Sequence, residues 1–433
     1  MSDTHANSVA FVRHDSLPQL PPPASETGLI KWMKENLFDG WFNILMTVLA
    51  IYFIVRLGMF VLPWFFNGVW VAGSLNECRE ILNGRTGGCF AVITERWQQL
   101  LFGFYPSEGY WRPVLAFLGM LLALAPVLFS SLPRAMLIFS GLFPFIGYFL
   151  IWGGSIWGPV MTLAGFAVAY FVNMFVARYS VVIGLLAGAL AAVIWWLFLA
   201  GEFAGLFDYL VPIGLSEVES RNVGGFVLTY ILGISSLVLS LPLGILLALG
   251  RQSDLFFIRS VCVVFIEFIR GVPLITLLFV ANVILAYFLP PGTTFDLILR
   301  VIIMITLFSA AYIAEVIRGG LAALPRGQYE AADSLGLDYW QSIQLIILPQ
   351  ALKISIPGIV NVFIGLFKDT VLVSVISMFD PIGLIRGPIL ADANWNGVYW
   401  ELFGFAAFVF FIFCYAMSQY SQYLERKLNT GHR

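Results

Sequence analysis

The stretch Arg318–Lys353, RGGLAALPRGQYEAADSLGLDYWQSIQLIILPQALK, lies between two apolar runs, Leu297–Ile317 and Ile354–Met378. Each run is about the 20 residues that an α-helix needs to cross a hydrocarbon core of about 30 Å. The interval between them carries helix punctuation. Pro325 opens a short helix through Tyr329–Leu335, and Gly336 supplies the left-handed residue that ends it. Asp338 can N-cap a second stretch, Tyr339 to Leu348, which Pro349 is expected to interrupt. Two short helices at an angle, with Ala331, Ala332 and Leu335 on a small-residue face, make an elbow at a membrane surface. A partner can approach such a face closely, although a plain amphipathic linker has the same periodicity.

Outward from this loop, apolar runs recur along the chain. Of its 433 residues 60% are hydrophobic and 11% charged, against about 45–50% and about 25% in an average soluble protein. So few charges cannot cover a globule of this size, which excludes a cytosolic enzyme or a disordered scaffold. A net charge of −2 offers no footprint for nucleic acid. The runs are Trp41–Phe66, Val114–Ser131, Ala135–Trp152, Ile156–Val176, Val181–Ala200, Gly225–Gly250, Val261–Leu289, Leu297–Ile317, Ile354–Met378 and Trp400–Tyr423. They are continuous rather than alternating, so the fold expected is an all-α polytopic membrane protein with about ten transmembrane helices, not a barrel.

With the N-terminus inside, fourteen of the 23 Lys and Arg residues fall in internal segments and seven in external ones, with Arg56 and Lys368 within spans. Both termini are therefore expected in the cytoplasm. Residues 1–38 read as a polar cytoplasmic tail without a secretory signal. Residues 39–221 form an aromatic, Gly-rich region with a long external loop at 67–112, and 425–433 a second cytoplasmic tail. Cys78 and Cys89 share the external loop and could close a disulfide in an oxidising compartment; their spacing leaves the pairing open. All three histidines, His5, His14 and His432, lie in the tails, which excludes a histidine-ligated metal or haem within the membrane.

The texture changes near Asn222. Glu267 with Arg270, and Glu315 with Arg318, are spaced i,i+3 and can pair near one end of their spans. Ionisable groups in a bilayer are costly and mark a pathway or a buried interface. Asn361, Lys368, Asp369 and Thr370, in the ninth run, are candidates for lining such a path. Adjacent Lys368 and Asp369 point about 100° apart on a helix, so each needs its own partner, a cavity or a break in the helix. Helix-packing glue is the competing reading.

Glu330-Ala331-Ala332, with Gly336, Ile346 and Leu348-Pro349 at their spacings, resembles the EAA loop of ABC importer permeases. FIRGVP at Phe268–Pro273, AYIAEVIRGG at Ala311–Gly320, LPRGQYEAA at Leu324–Ala332 and FKDTVLVSVI at Phe367–Ile376 resemble the polar amino acid subfamily. The extra N-terminal spans resemble the large permease of general L-amino acid or glutamate/glutamine/aspartate/asparagine importers. The resemblance implies that the C-terminal five spans, residues 222–424, form an ABC importer permease core in a bacterial inner membrane, with its coupling loop at 318–353. It implies that Glu330, Ala331, Ala332 and Gly336 contact a cytoplasmic ABC ATPase dimer. It further implies a second permease subunit, expected to be a different chain, and a periplasmic amino-acid-binding protein. No GxxxxGK[ST] occurs, so no cofactor is expected on this chain and ATP would be bound by the partner. An ion-coupled secondary carrier is the alternative; it would need two related halves, which the sequence does not display. A non-transporting scaffold would leave the elbow unexplained.

Overall fold

The computed structural model describes residues 28–284 and 296–428. Contacts divide the chain into two units, Met1–Val69 with Leu82–Gly88, and Trp70–Ile81 with Cys89–Arg433. Within the first, helix α1 (Gly28–Asn36) precedes α2 (Trp41–Phe66). The tail expected over 1–38 thus contains a helix, in which Leu29, Trp32 and Met33 share one arc and Lys31 pairs with Glu35 at i,i+4. Residues 1–27, the end of the seventh run at 285–289, and 429–433 lie outside the described residues. α2 runs unbroken through Arg56, which is exposed on it.

The second unit holds α3 (Leu75–Leu82) up to Ile81, then α4 (Ala91–Phe102), α5 (Ser107–Leu128), α6 (Met136–Trp152), α7 (Trp157–Val176) and α8 (Val181–Leu210). A two-residue antiparallel pair follows, β1 (Gly154–Ser155) with β2 (Gly214–Leu215). Then come α9 (Gly225–Arg251), α10 (Phe256–Gly271), α11 (Leu274–Asn282), α12 (Leu297–Ala322), α13 (Arg326–Ser334), α14 (Tyr339–Ile376), α15 (Pro381–Leu384) and α16 (Tyr399–Leu428). Among the described residues eight helices are long and apolar enough to span a membrane; the bent pair α10–α11 makes nine, and α6 is a shorter apolar helix of 17 residues. The chain is a polytopic all-α membrane protein, as composition requires.

Three runs depart from their expected form. The fifth extends to Leu210 through a π turn at Trp195–Leu199. The seventh is bent by 103° between Gly271 and Leu274. The cause is local: Pro273 has no N–H to continue the helix and forces Val272 into extended backbone. α10 therefore does not enter as the first half of a straight span. Its Cys262 lies against Gly250 and its Glu267 reaches Arg251, so it crosses the end of α9. The ninth run does not begin at Ile354, and Pro349 does not interrupt it. The π turn Ile343–Ile347 leads straight into α-helix at Leu348, placing Pro349 in a first turn where its missing N–H costs nothing. α14 is consequently one continuous helix of 38 residues.

The core lies between α9 and α12, where Leu228, Leu232, Val301 and Ile305 are fully enclosed. α5 packs beside it, its Phe117 against Tyr230 and Phe413. At one end of α9 the backbones approach closely. Gly103 and Val223 form a bridge, the Gly225 N–H donates to the Phe379 carbonyl (2.7 Å), and a Cβ at Gly103, Gly224 or Gly225 would collide with main-chain atoms. This is the cap side. Here Cys78 and Cys89 are joined in a disulfide, Arg96 pairs with Asp392, and the Cys89 N–H donates to Glu401 (3.0 Å). The other end of α9, at Arg251, is the loop side.

Candidate coupling loop and membrane path

Pro325 opens α13 as expected: it stands at the N-cap, and the helix runs Arg326–Ser334. Gly336 has φ +70°, the Gly336 N–H donates to Asp333 O (2.9 Å), and the Leu337 N–H donates to Ala332 O (3.3 Å). This paired pattern is a Schellman ending, which needs a left-handed residue where Gly336 stands. Two residues later Asp338 and Gln341 form a reciprocal capping box (2.8 and 3.2 Å) that starts α14. The elbow is thus fixed by hydrogen bonds on both arms.

Glu330, Ala331 and Gly336 are exposed, and Leu335 is 72% exposed. Ala332 departs from expectation. It is 0% exposed, because the elbow seats that side of α13 against its own chain. Tyr329 packs against the buried cluster that includes Leu324, Ile343 and Ile347, and Gln350 donates to Gln328 (2.9 Å). The face open to a partner is therefore Glu330, Ala331, Leu335 and Gly336, extended by Tyr339 and Trp340, while Ala332 anchors the loop.

Above this loop, charges from three helices form one knot. The pairs read from spacing are present, with Arg318 to Glu315 at 2.5 and 2.9 Å and Arg270 to Glu267 at 3.9 Å. The structure adds Arg251, which reaches Glu267 (2.8 Å) and Glu315 (3.4 Å), and brings Arg270 to Glu315 (3.8 Å) and over the Tyr312 ring. Three guanidiniums and two carboxylates so tie the loop-side ends of α9, α10 and α12.

The path candidates separate. Asn361 and Lys368 are exposed on α14, seven residues apart and so on one face, and Gly365 between them leaves open space where a side chain would stand. Asp369 is half-buried and points elsewhere. Thr370 is fully buried, with its hydroxyl donating to Phe367 O (2.7 Å), and lines nothing. The break considered at 368–370 is a tightening, since the α-helix passes into 3₁₀ at Thr370–Ile376.

Two charged groups escaped the sequence reading. Arg112, which reads as the end of an external loop, lies inside α5 and is 2% exposed; its guanidinium donates to Leu150 O (2.7 Å), Ser216 O (2.8 Å) and Ile151 O (3.4 Å). Asp380 is buried beyond the end of α14 and caps α15 through Ile382 N (3.2 Å) and Gly383 N (2.9 Å). Its Asp-Pro-x-Gly setting was the available signal.

Burial pushes the Asp380 carboxyl up from 3.8 to about 6, against the opposing backbone N–H groups and Arg386. The folded protein therefore holds this proton more tightly than the unfolded chain does. The resulting stability is present below the unfolded value of 3.8 and is lost as pH rises through about 6. Asp380→Asn keeps a capping oxygen but cannot ionise. Melting temperature across that pH window is expected to fall for the native chain relative to the variant, and parallel curves would refute the assignment.

Residues 240–430 match the family described as binding-protein-dependent transport system inner membrane component. The chain is 54% identical, over the full length of both, to the glutamate/glutamine/aspartate/asparagine transport system permease protein BztC of Rhodobacter capsulatus. It is 38% identical to the inner membrane amino-acid ABC transporter permease protein YhdY of Escherichia coli, over 96% of this chain and 97% of that one. A crystal structure of an amino acid ABC transporter with histidines is similar at 29% identity, over 46% of this chain and 90% of that chain, with TM-score 0.40.

Proposed function

This chain belongs to the amino-acid ABC transporter permeases, the binding-protein-dependent inner membrane components, and from that premise we propose that it passes acidic and amide L-amino acids into the cytoplasm. The name of BztC, at 54% identity, supports this substrate class. The observation that carries the mechanism is the exposed elbow at Gly336, hydrogen-bonded on both arms and continuous with α14.

In this reading the loop side is cytoplasmic, and an ATPase dimer seats Glu330, Ala331, Leu335 and Gly336. Movement of the elbow is transmitted along α14, because an unbroken helix is stiff over the 30 residues from Tyr339 to Lys368. The face carrying Asn361, Gly365 and Lys368 meets a second permease subunit, a different chain, and the path runs between them. A periplasmic binding protein delivers the amino acid on the cap side. Residues 222–424 are the permease core and 39–221 an addition to it.

Purified alone, the chain is expected to hydrolyse no ATP. Isolated in mild detergent from native membranes, it is expected to carry an ATPase and a second permease with it, and vesicles holding the assembly to import glutamate only with ATP and binding protein. Uptake by the chain alone, driven by an ion gradient, would instead establish the secondary carrier. In the same vesicles Lys368→Met is expected to lower uptake about tenfold, a barrier change of about 1.4 kcal/mol, without loss of assembly. Undiminished uptake would remove Lys368 from the path.

A further inference from the structure

Away from the permease core, two adjoining cavities of about 510 and 420 Å³ share Tyr148, Gly158, Pro159 and Ala204 and form one cleft between α6, α7 and the second half of α8. Its floor is made of missing side chains: a Cβ at Gly158, Gly201 or Gly205 would meet nothing within 4 Å. One end, bounded by Pro144, Phe145 and Ala200, is apolar apart from Thr162, whose hydroxyl donates to Gly158 O (3.0 Å). The other end reaches the cap side. There Tyr148 stacks on Trp152 (centroids 5.2 Å apart), and two carboxylates, Asp208 and Glu217, stand at the mouth. Asp208 accepts the Ser155 hydroxyl (2.6 Å), and Glu217 is exposed. Among the described residues no basic side chain lines the cleft. Arg112 lies behind Gly153, with its donors directed at the carbonyls of Leu150, Ile151 and Ser216.

These features combine in only a few ways. The apolar end is open on the flank of membrane-spanning helices, where water finds few polar partners and an empty space forfeits dispersion contacts. An acyl chain meets both conditions. The mouth then discriminates among head groups. Two carboxylates repel a head with net negative charge, attract an ammonium, and stand beside an aromatic pair whose ring faces also favour cations. We propose that this cleft is a lipid site selective for a phospholipid bearing a primary ammonium, taken from the leaflet on the cap side. The bound lipid completes the packing of α6, α7 and α8 around the β1–β2 pair. The assignment rests on the cleft alone and is independent of the substrate and partners proposed above.

The test uses the full assembly, exchanged into nanodiscs containing equal amounts of phosphatidylethanolamine and phosphatidylglycerol with identical acyl chains. Lipids retained after extraction are counted by native mass spectrometry. The native protein is expected to retain one phosphatidylethanolamine per chain, at least about fivefold over phosphatidylglycerol, a preference of about 1 kcal/mol. Gly201→Leu fills the floor and is expected to lose that lipid. Asp208→Asn combined with Glu217→Gln is expected to keep one lipid and lose the preference. Should Gly201→Leu fail to assemble, Ala204→Phe, one turn further along α8, obstructs the cleft where its two cavities adjoin. Equal retention of the two lipids by the native protein, or undiminished retention by the obstructed variant that assembles, would overturn the proposal. So would displacement of the lipid by free ethanolamine at millimolar concentration, which would make the mouth a site for small amines.

Discussion

Gly336→Val is expected to reduce amino-acid uptake by about tenfold or more while the chain still inserts and assembles. The expectation rests on backbone conformation alone, because a Cβ at this position would meet nothing within 4 Å. At φ +70° an L-residue carries about 1–2 kcal/mol of strain, more when β-branched. Relieving it means unwinding the Schellman turn, which swings α13 out of line with the capped start of α14. ATP hydrolysis by the assembly should then continue without matching transport. Gly336→Asn is the informative control, since Asn tolerates left-handed backbone and should restore most of the uptake. If Val and Asn both transport normally, the turn does not couple. If both fail equally, a partner surface excludes any side chain there.

Glu315→Gln should loosen the knot at the loop-side ends of α9, α10 and α12 and lower stability. The substitution is nearly isosteric but leaves Arg251, Arg270 and Arg318 facing Glu267 alone. Breaking a fully buried pair costs about 3–5 kcal/mol. The Glu315 side chain is 23% exposed, so solvent screening reduces this to about 2 kcal/mol. Thermal melting of the detergent-solubilised assembly reads the change as a drop of several degrees, smaller at high salt. Arg318→Gln is the comparison. That side chain is 41% exposed, and its loss should cost under about 1 kcal/mol. A melting temperature unchanged by Glu315→Gln would mean that the knot does not hold the three helix ends together.

Much of this architecture is legible in the sequence, and what is not has physical causes. Apolar runs announce spans because the bilayer acts on each run separately, and the elbow is legible because Gly336 and Asp338 act within a few residues. Pro349 misleads because its effect depends on register: a π turn one step upstream places it where a proline does no harm. Pro273 has the opposite outcome, for its motif looks like part of a span and instead turns the chain by 103°. Charges are harder still. Glu315 with Arg318 follows from helix periodicity, but nothing local says that Arg251, 64 residues earlier, completes their cluster. Arg112 looks like a loop charge because its acceptors are main-chain carbonyls, which any residue could supply. Ala332 and Thr370 belong to plausible faces, and only packing shows that both faces turn inward.

The glycine seam at Gly103, Gly224 and Gly225 has a consequence for how such a chain can change over generations. An appended region joined by a flexible tether can be lost, exchanged or duplicated with little effect on its host. Here the join is made by main-chain atoms in direct contact, Gly103 against Gly224 and the Leu100 and Leu101 carbonyls against Gly225. Any recombinant that replaced the earlier helices would have to supply a residue without a side chain in the place of Gly103 and main chain that fits against Gly224 and Gly225. An exchange of the helices before this crossing is therefore limited there by backbone shape and not by side-chain chemistry.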